Sequence, residues 1–358
     1  MTQSPFRLRA LVAALAMASV AAGAAAADLQ KVTIAVGTTA IDVSQANNTS
    51  IPLYTKCWEK EGLDVTIQPI NSTAGMQAVL SGQAQFVNMG SGVAITARAK
   101  GAPIKSVYLN IRHNFQFPVV MDDSPIKSVA QFKGKTIGVI SYGAVLVDIV
   151  KGMIAEAGLD PAKDVTFVET GVGAQAVAAL KSGKVDVWGT WDSQIATAEN
   201  MGLKLRKFTS PSAEKLTFGS AYFVRDDFIK NQPQVIEKVL RCSIQGTQIT
   251  MANPEGAIRA HWQMFPASKP TGLDDATAMK QALNIVKTRM QYLEIEPGTK
   301  WGEMPAGSAA AMVDFMRANK QIEGPLDPKD LYTNQFIEGA NKFDAAAVKS
   351  AAAALPKS

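Results

Sequence analysis

Three short stretches carry residue types suited to holding a small polar molecule. Ser72-Thr73-Ala74-Gly75, Ser141-Tyr142-Gly143-Ala144 and Thr170-Gly171-Val172-Gly173 each put hydroxyls or glycines where a strand is predicted to give way to a helix. The first turn of a helix offers unbonded N–H groups and the positive end of its dipole, and glycine lets the main chain come close to a ligand. Such loops therefore suit a carboxylate or sulfonate. A tight turn is the plain alternative for any one of them; three in equivalent positions favour the ligand reading. Trp191-Asp192 is the sharpest pair, an indole plate for an apolar body beside a carboxylate for a donor group. Arg112 offers a planar fork for a carboxylate or sulfonate, with a solvated charge on a connecting loop as an equal alternative. Thr38, Thr39, Asn71, Met89, Ser91, Asn114 and Gln175 complete the candidate set. Tyr222 lines the same cleft or sits in the core, the core being slightly favoured.

Catalytic chemistry has little to work with. The two histidines, His113 and His261, are far apart, and with Cys57 and Cys242 they show no metal-ligand spacing. There is no Gly-x-Ser-x-Gly elbow and no phosphate-binding loop, and the two Ser-x-x-Lys matches, at Ser124 and Ser212, lack a Lys-Thr-Gly partner. The expectation is a binding protein with no enzyme activity, no cofactor and no metal. The two cysteines permit one disulfide or remain two buried thiols.

The elements that must position the candidate residues occur twice. Val65 to Gly92 reads as strand, polar loop, helix, strand and loop, and Val165 to Asp192 repeats it. Helical apolar spacing, Met76, Val79 and Leu80 against Ala176, Ala179 and Leu180, ends at Ser81-Gly82 and Ser182-Gly183. Upstream, Thr33-Ile34-Ala35-Val36 is echoed by Thr136-Ile137-Gly138-Val139. Two βαβαβ halves follow, with parallel sheets. The turn cluster Asp122-Asp123-Ser124-Pro125 is the expected boundary between them. Beyond Pro233 the chain is largely helical; Met279, Leu283, Val286, Met290 and Leu293 form one apolar stripe that reads as core. The alanine-rich tail, 345–358, reads as a frayed helix.

At the start, Arg7 and Arg9 precede an apolar run, Ala10 to Ala22, and Ala25-Ala26-Ala27. That is the pattern of a secretory signal cleaved near Ala27, the run being too short to span a bilayer. Losing both arginines takes the formal charge from +5 to +3, too little to expect nucleic acid as a partner. The expected product is a soluble periplasmic monomer.

Thr33 to Gly37, Glu61-Gly62-Leu63-Asp64-Val65, Leu80-Ser81-Gly82-Gln83, Asp123-Ser124-Pro125-Ile126, Phe132 to Gly138 and Val187 to Asp192, in that order, resemble the solute-binding proteins of ABC importers. Tyr332-Thr333-Asn334-Gln335-Phe336 resembles their C-terminal region. The branch it is most similar to serves taurine, alkanesulfonates and nitrate and includes thiamine-precursor relatives. Two departures bear on the ligand class: Ser193-Gln194 replace the Pro and aromatic that often follow Trp-Asp, and no His follows Ser141-Tyr142-Gly143. The resemblance implies an α/β, two-lobed periplasmic-binding-protein type II fold, with residues 28–122 plus 222–358 as one lobe and 123–221 as the other. It also implies a small organic anion or zwitterion held between the lobes and ABC permease subunits as partners. A sensor module of the same fold is the alternative; an enzyme related to thiamine-pyrimidine synthesis is further off.

Overall fold

In the computed structural model, residues 28–142 and 144–357 are described; the expectations for the leader, 1–27, and for Gly143 fall outside them. Among the described residues ten strands fall in two sheets: β1 (Gln30–Gly37), β2 (Leu63–Ile70), β3 (Phe86–Gly90), β4 (Ile104–Ile111), β5 (Gln116–Met121), β6 (Lys135–Val139), β7 (Val165–Glu169), β8 (Val187–Trp191), β9 (Leu205–Lys207) and β10 (Ser220–Arg225). The first sheet has the order β2-β1-β3-β10-β4 and the second β7-β6-β8-β5-β9. The fold is α/β with two lobes, and the repeat is visible as topology. β1 runs parallel to β2 and β3, and β6 runs parallel to β7 and β8. Ile34 and Ala35, adjacent and pointing to opposite faces of β1, are both fully buried, as expected of a central strand covered on both sides.

The polar loops begin the helices as the sequence predicts. Asn71 caps helix Ser72–Ser81 by accepting from the Ala74 N–H at 2.9 Å, and Gly82 ends it at φ 83°. Helix Ala174–Lys181 holds the same place in the second lobe, after Gly173.

The chain passes between lobes at residues 112–115 and 208–219. β5 pairs with β8 and β9, so the expected boundary at residue 122 falls one strand late. Asp122-Asp123-Ser124-Pro125 is a turn inside the second lobe, closed by the Ser124 N–H on the Met121 carbonyl at 2.9 Å. The real crossing, Arg112-His113-Asn114-Phe115, carries no Gly or Pro to mark it. The two crossings touch at Gly219, where a Cβ would sit 2.8 Å from the carbonyl oxygens of Ile111 and His113; only glycine allows that approach.

Two helices C-terminal to β10 also lie against the second lobe, beyond the simple division into residue ranges. Helix Asp275–Gln291 packs along helix Asp192–Asn200, and Asn284 Nδ2 donates to the Ala196 carbonyl at 3.3 Å. Helix Ser308–Ala318 shares a core with helix Val145–Glu156, through Met312, Phe315 and Met316 against Leu146, Val150 and Met153. The Met279–Leu293 stripe is core, with Val286 fully buried. The tail is not frayed. Helix Ala345–Ala353 is capped by Asp344 and buries Val348 and Ala352, with Leu355 just beyond it, against helices Pro233–Ala252 and Pro254–Met264. Cys57 and Cys242 form a disulfide, Cα to Cα 5.7 Å, tying the short helix Cys57–Lys60 to helix 233–252.

Candidate functional site

Strand directions decide where a site can form. β4 ends at the first crossing and β10 begins after the second. β10 is antiparallel to β3 and β4, so β3, and with it β1 and β2, ends at the crossings. β5 begins at the first crossing and is antiparallel to β8, which brings the ends of β6, β7 and β8 to the same place. The carboxyl ends of six parallel strands therefore meet around the crossings, the location at which open α/β sheets bind ligands.

On the first lobe Gly37, Ser72 and Met89 close on one another. The Ser72 hydroxyl donates to the Gly37 carbonyl at 3.4 Å, and a Cβ on Gly37 would lie 2.7 Å from both Ser72 Oγ and Met89 Cβ. Met89 is buried beneath Gly37. Thr38 Oγ1 donates to the Ala40 carbonyl at 2.9 Å, while Thr39, Asn71 and Thr73 stand at the surface. Ser91 is buried and bonds the Phe218 carbonyl of the second crossing, so it locks the hinge.

On the second lobe Tyr142 is 58% exposed, unusual for so large a ring. Its N–H is held by Glu169 Oε1 at 2.8 Å and its hydroxyl reaches the Phe167 carbonyl at 3.4 Å. Val172 is exposed on the loop after β7, between Gly171 and Gly173 at φ 68° and 64°. Gly173 N–H donates to Gln194 Oε1 at 2.9 Å, so this helix start is partly satisfied from within. Gln175 lies beside Gly171 at the surface and Ser141 is half-buried. Thr170 is buried with its hydroxyl on the Val139 carbonyl at 3.3 Å. Trp191 is half-buried, its ring fixed by Nε1 donating to Ser193 Oγ at 3.0 Å.

One expectation is overturned, and for Tyr222 the favoured of two readings holds. The Asp192 carboxylate is buried and gripped by Arg289, Nε to Oδ2 at 2.7 Å and Nη2 to Oδ1 at 2.6 Å, so it is not free for a ligand donor. Tyr222 is fully buried among Phe86 and Tyr108, and its hydroxyl is bonded to the Asn48 carbonyl and Ser243; it belongs to the core. Asn114 turns its amide onto Gln116, accepting at 3.1 Å and donating at 3.0 Å, which shapes the crossing. Arg112 is buried, its N–H on the Tyr292 carbonyl at 3.2 Å and Nη1 on the Lys300 carbonyl at 3.3 Å, while Nη2 is unpartnered. Burial lowers its pKa, and Glu296 and Glu303 act against that.

Sequence reasoning missed Glu169, the carboxylate exposed beside Tyr142, and Arg289. An acidic residue closing β7 next to a glycine loop was a readable signal for the first. Arg289 stands 97 residues from Asp192 and gave none.

Residues 57–257, more than half of the chain, match the family described as NMT1/THI5 like. The chain belongs to that family. The riboflavin-binding protein RibY of Chloroflexus aurantiacus is 25% identical to it over 275 residues, 73% of this chain and 72% of RibY. Among solved structures, the periplasmic aliphatic sulphonate binding protein SsuA of Escherichia coli superposes with a TM-score of 0.64 at 19% identity, covering 84% of this chain and 91% of SsuA. The desulfurization enzyme DSZB, in complex with biphenyl-2-sulfinic acid, superposes with a TM-score of 0.55 at 14% identity, covering 87% and 99%. This NMT1/THI5-like chain thus shares its fold with a protein named for binding and with one named for catalysis.

His261, bonded through Nδ1 to the Ser50 hydroxyl at 2.8 Å, is fully buried, as is Ser50, and burial lowers its pKa to about 4. That pair presents no nucleophile to a substrate. The strand ends combine an exposed aromatic, hydroxyls, glycine loops and one carboxylate, groups able to orient a small polar molecule. Among the described residues no helix is long and apolar enough to cross a membrane.

Proposed function

We propose that this protein is the periplasmic substrate-binding component of an ABC-type importer, which captures a small organic zwitterion or anion between its lobes and presents it to a membrane permease. The observation that carries the reading is Tyr142, an exposed ring three residues from Val145, where the second lobe touches Gly92 of the first. A large aromatic left in water at the convergence of six strand ends is what a ligand's apolar body would cover. Trp191 provides a second plate, and the Ser72-Thr73 and Ser141 hydroxyls serve an acid group. Glu169 takes the part first given to Asp192, receiving an ammonium or hydroxyl. A relative named for riboflavin binding and a fold neighbour named for aliphatic sulphonate binding agree with a ligand joining an apolar body to polar or charged groups.

Function then follows from closure. A ligand touching both lobes stabilises the state in which they meet, and a permease reads that state. The test is a thermal-shift and tryptophan-fluorescence screen of sulfonates, aromatic carboxylates, nitrate, thiamine precursors and amino compounds. A ligand at a hundredfold over its Kd is expected to add about 2.7 kcal/mol. Trp191→Ala and Tyr142→Ala are expected to abolish that shift while leaving the unliganded protein folded. No shift from any compound overturns the reading.

A further inference from the structure

Away from the strand ends, a groove of about 770 Å3 lies along helix 275–291, with Arg259 of helix 254–264 on its other wall. The two helices share one apolar core, Ile258 and Trp262 against Met279, Ala282 and Val286, so the shape of the groove does not depend on where the lobes stand. It has no residue in common with the strand-end site. Along helix 275–291 its lining follows a single stripe: Ala276, Lys280, Leu283 and Lys287 stand at i, i+4, i+7 and i+11. The lysines are exposed, Leu283 is half-buried and Met279 is buried below them.

The charges of this groove are unmatched. Among the described residues Arg259, Lys280 and Lys287 take part in no side-chain hydrogen bond or ion pair. The one acid in the lining, Asp275, is already bonded to Lys269 Nζ at 2.8 Å, and the charge of Arg259 also reaches it. An excess of positive charge thus stands over an apolar floor, which suits a partner that is negative and apolar together. Lys280 and Lys287 are seven residues apart, two turns or about 10 Å along the axis. A small anion reaches one of those charges at a time. A flat anionic bilayer meets the lysines but not Met279 and Leu283 beneath them. The chain's own leader is ruled out by charge, since residues 1–27 include Arg7 and Arg9 and no acid. A helix laid along the groove, with carboxylates seven residues apart and apolar side chains between them, matches both the spacing and the floor.

We propose that this groove docks an amphipathic helix of a partner protein, one with two acidic residues seven apart and apolar residues between them. Neither the groove nor its partner depends on the strand-end ligand, so each can fail alone. The probe is a fluorescein-labelled, alanine-based helical peptide of about fifteen residues, with Glu at two positions seven apart and Leu at the two positions midway between them. Fluorescence anisotropy at low ionic strength is expected to give a Kd of about 100 μM or tighter for the parent protein, and the same value for Tyr142→Ala and Trp191→Ala. Lys280→Glu with Lys287→Glu, both at exposed positions, is expected to weaken binding about tenfold or more, once a cooperative thermal transition has confirmed its fold. A peptide with Lys in place of both Glu is expected to prefer that variant to the parent. A peptide of the same composition with its Glu residues five apart, and so on different faces, is expected to bind about tenfold more weakly. No binding of the first peptide, equal binding of the five-apart peptide, equal affinity in the charge-reversed variant, or a loss in Tyr142→Ala or Trp191→Ala overturns the docking site. Phosphatidylglycerol vesicles that sediment with the parent protein but not with the charge-reversed variant overturn the helix in favour of a membrane.

Discussion

Arg289 and Asp192 form a bidentate ion pair across the lobes, with the Asp192 side chain wholly buried and that of Arg289 10% exposed. Asp192 follows β8 directly and begins helix 192–200; Arg289 comes from the last turn of helix 275–291 and stacks its guanidinium over the Phe115 ring of the first crossing, 5.2 Å away. The pair pins helix 275–291 to the second lobe beside the hinge. Removing one partner of a buried pair leaves the other charge uncompensated, which typically costs about 3–5 kcal/mol. Arg289→Ala is therefore expected to lower stability by that amount in urea unfolding, and Arg289→Met with Asp192→Leu to recover most of it. A stable Arg289→Ala protein would mean the pair holds nothing.

That pair also marks the limit of what the sequence disclosed. The repeat, the strand ends and the helix starts were legible because each rests on local patterns: Met76, Val79 and Leu80 at helical spacing, Gly82 as terminator, Ser72 and Thr73 after a strand. Asp192 was placed at the right strand end, but its partner lies far along the chain, and a carboxylate beside a tryptophan reads the same whether it faces a ligand or an arginine. Tyr222 shows the same ambiguity in reverse. A tyrosine there reads alike as cleft lining or core, and only the packing of Phe86 and Tyr108 against it assigns it to the core. The boundary error at residue 122 arose because turn chemistry marks any turn, whereas the crossing at 112–115 is extended chain without punctuation.

The Cys57–Cys242 disulfide joins elements separated by 185 residues, a closure distance at which cross-linking removes much of the unfolded chain's freedom. Cys57 lies in the helix that leads into the start of β2, the end away from the crossings. Cys57→Ser with Cys242→Ser is expected to lower stability by roughly 2–4 kcal/mol while leaving ligand affinity unchanged. Calorimetric melting and a parallel ligand titration check both halves; a loss of affinity equal to the loss of stability would contradict the placement.

Asp148 should leave a signature in the pH dependence of stability. Its pKa is raised from the ordinary 3.8 to about 6, so the folded protein holds this proton more tightly than the unfolded chain does. The sign follows: its contribution is neutral below about pH 4, turns unfavourable as pH rises through 4 to 6, and stays so above. Lys151 faces it from the same helix, and Lys100 and Lys320 line the cavity between helices 72–81, 91–99 and 145–156 with it. Asp148→Asn is expected to stabilise the unliganded protein at pH 7.5 by about 1–2 kcal/mol, allowing for partial solvation, and to match the parent at pH 4. Equal melting temperatures for the two proteins at both pH values would show that the carboxylate carries no burial penalty.

Closure itself can be tested at one glycine. A Cβ on Gly92, at the start of helix 91–99, would stand 2.7 Å from both methyl carbons of Val145 on the opposing lobe. Real Cβ atoms do not approach so closely, so Gly92→Ala must separate the two helix starts or displace Val145. Gly92 has no positive φ, and alanine is the better helix former, which confines the penalty to the lobe contact. The expected result is weaker ligand binding, by about tenfold if the overlap costs about 1.4 kcal/mol, with little loss of thermal stability in the absence of ligand. Val145→Ala removes the methyls that would be struck, and in the Gly92→Ala background it should restore affinity. If Gly92→Ala binds as the parent does, the ligand-bound state does not bring these two helix starts together, and the closure mechanism fails at this contact.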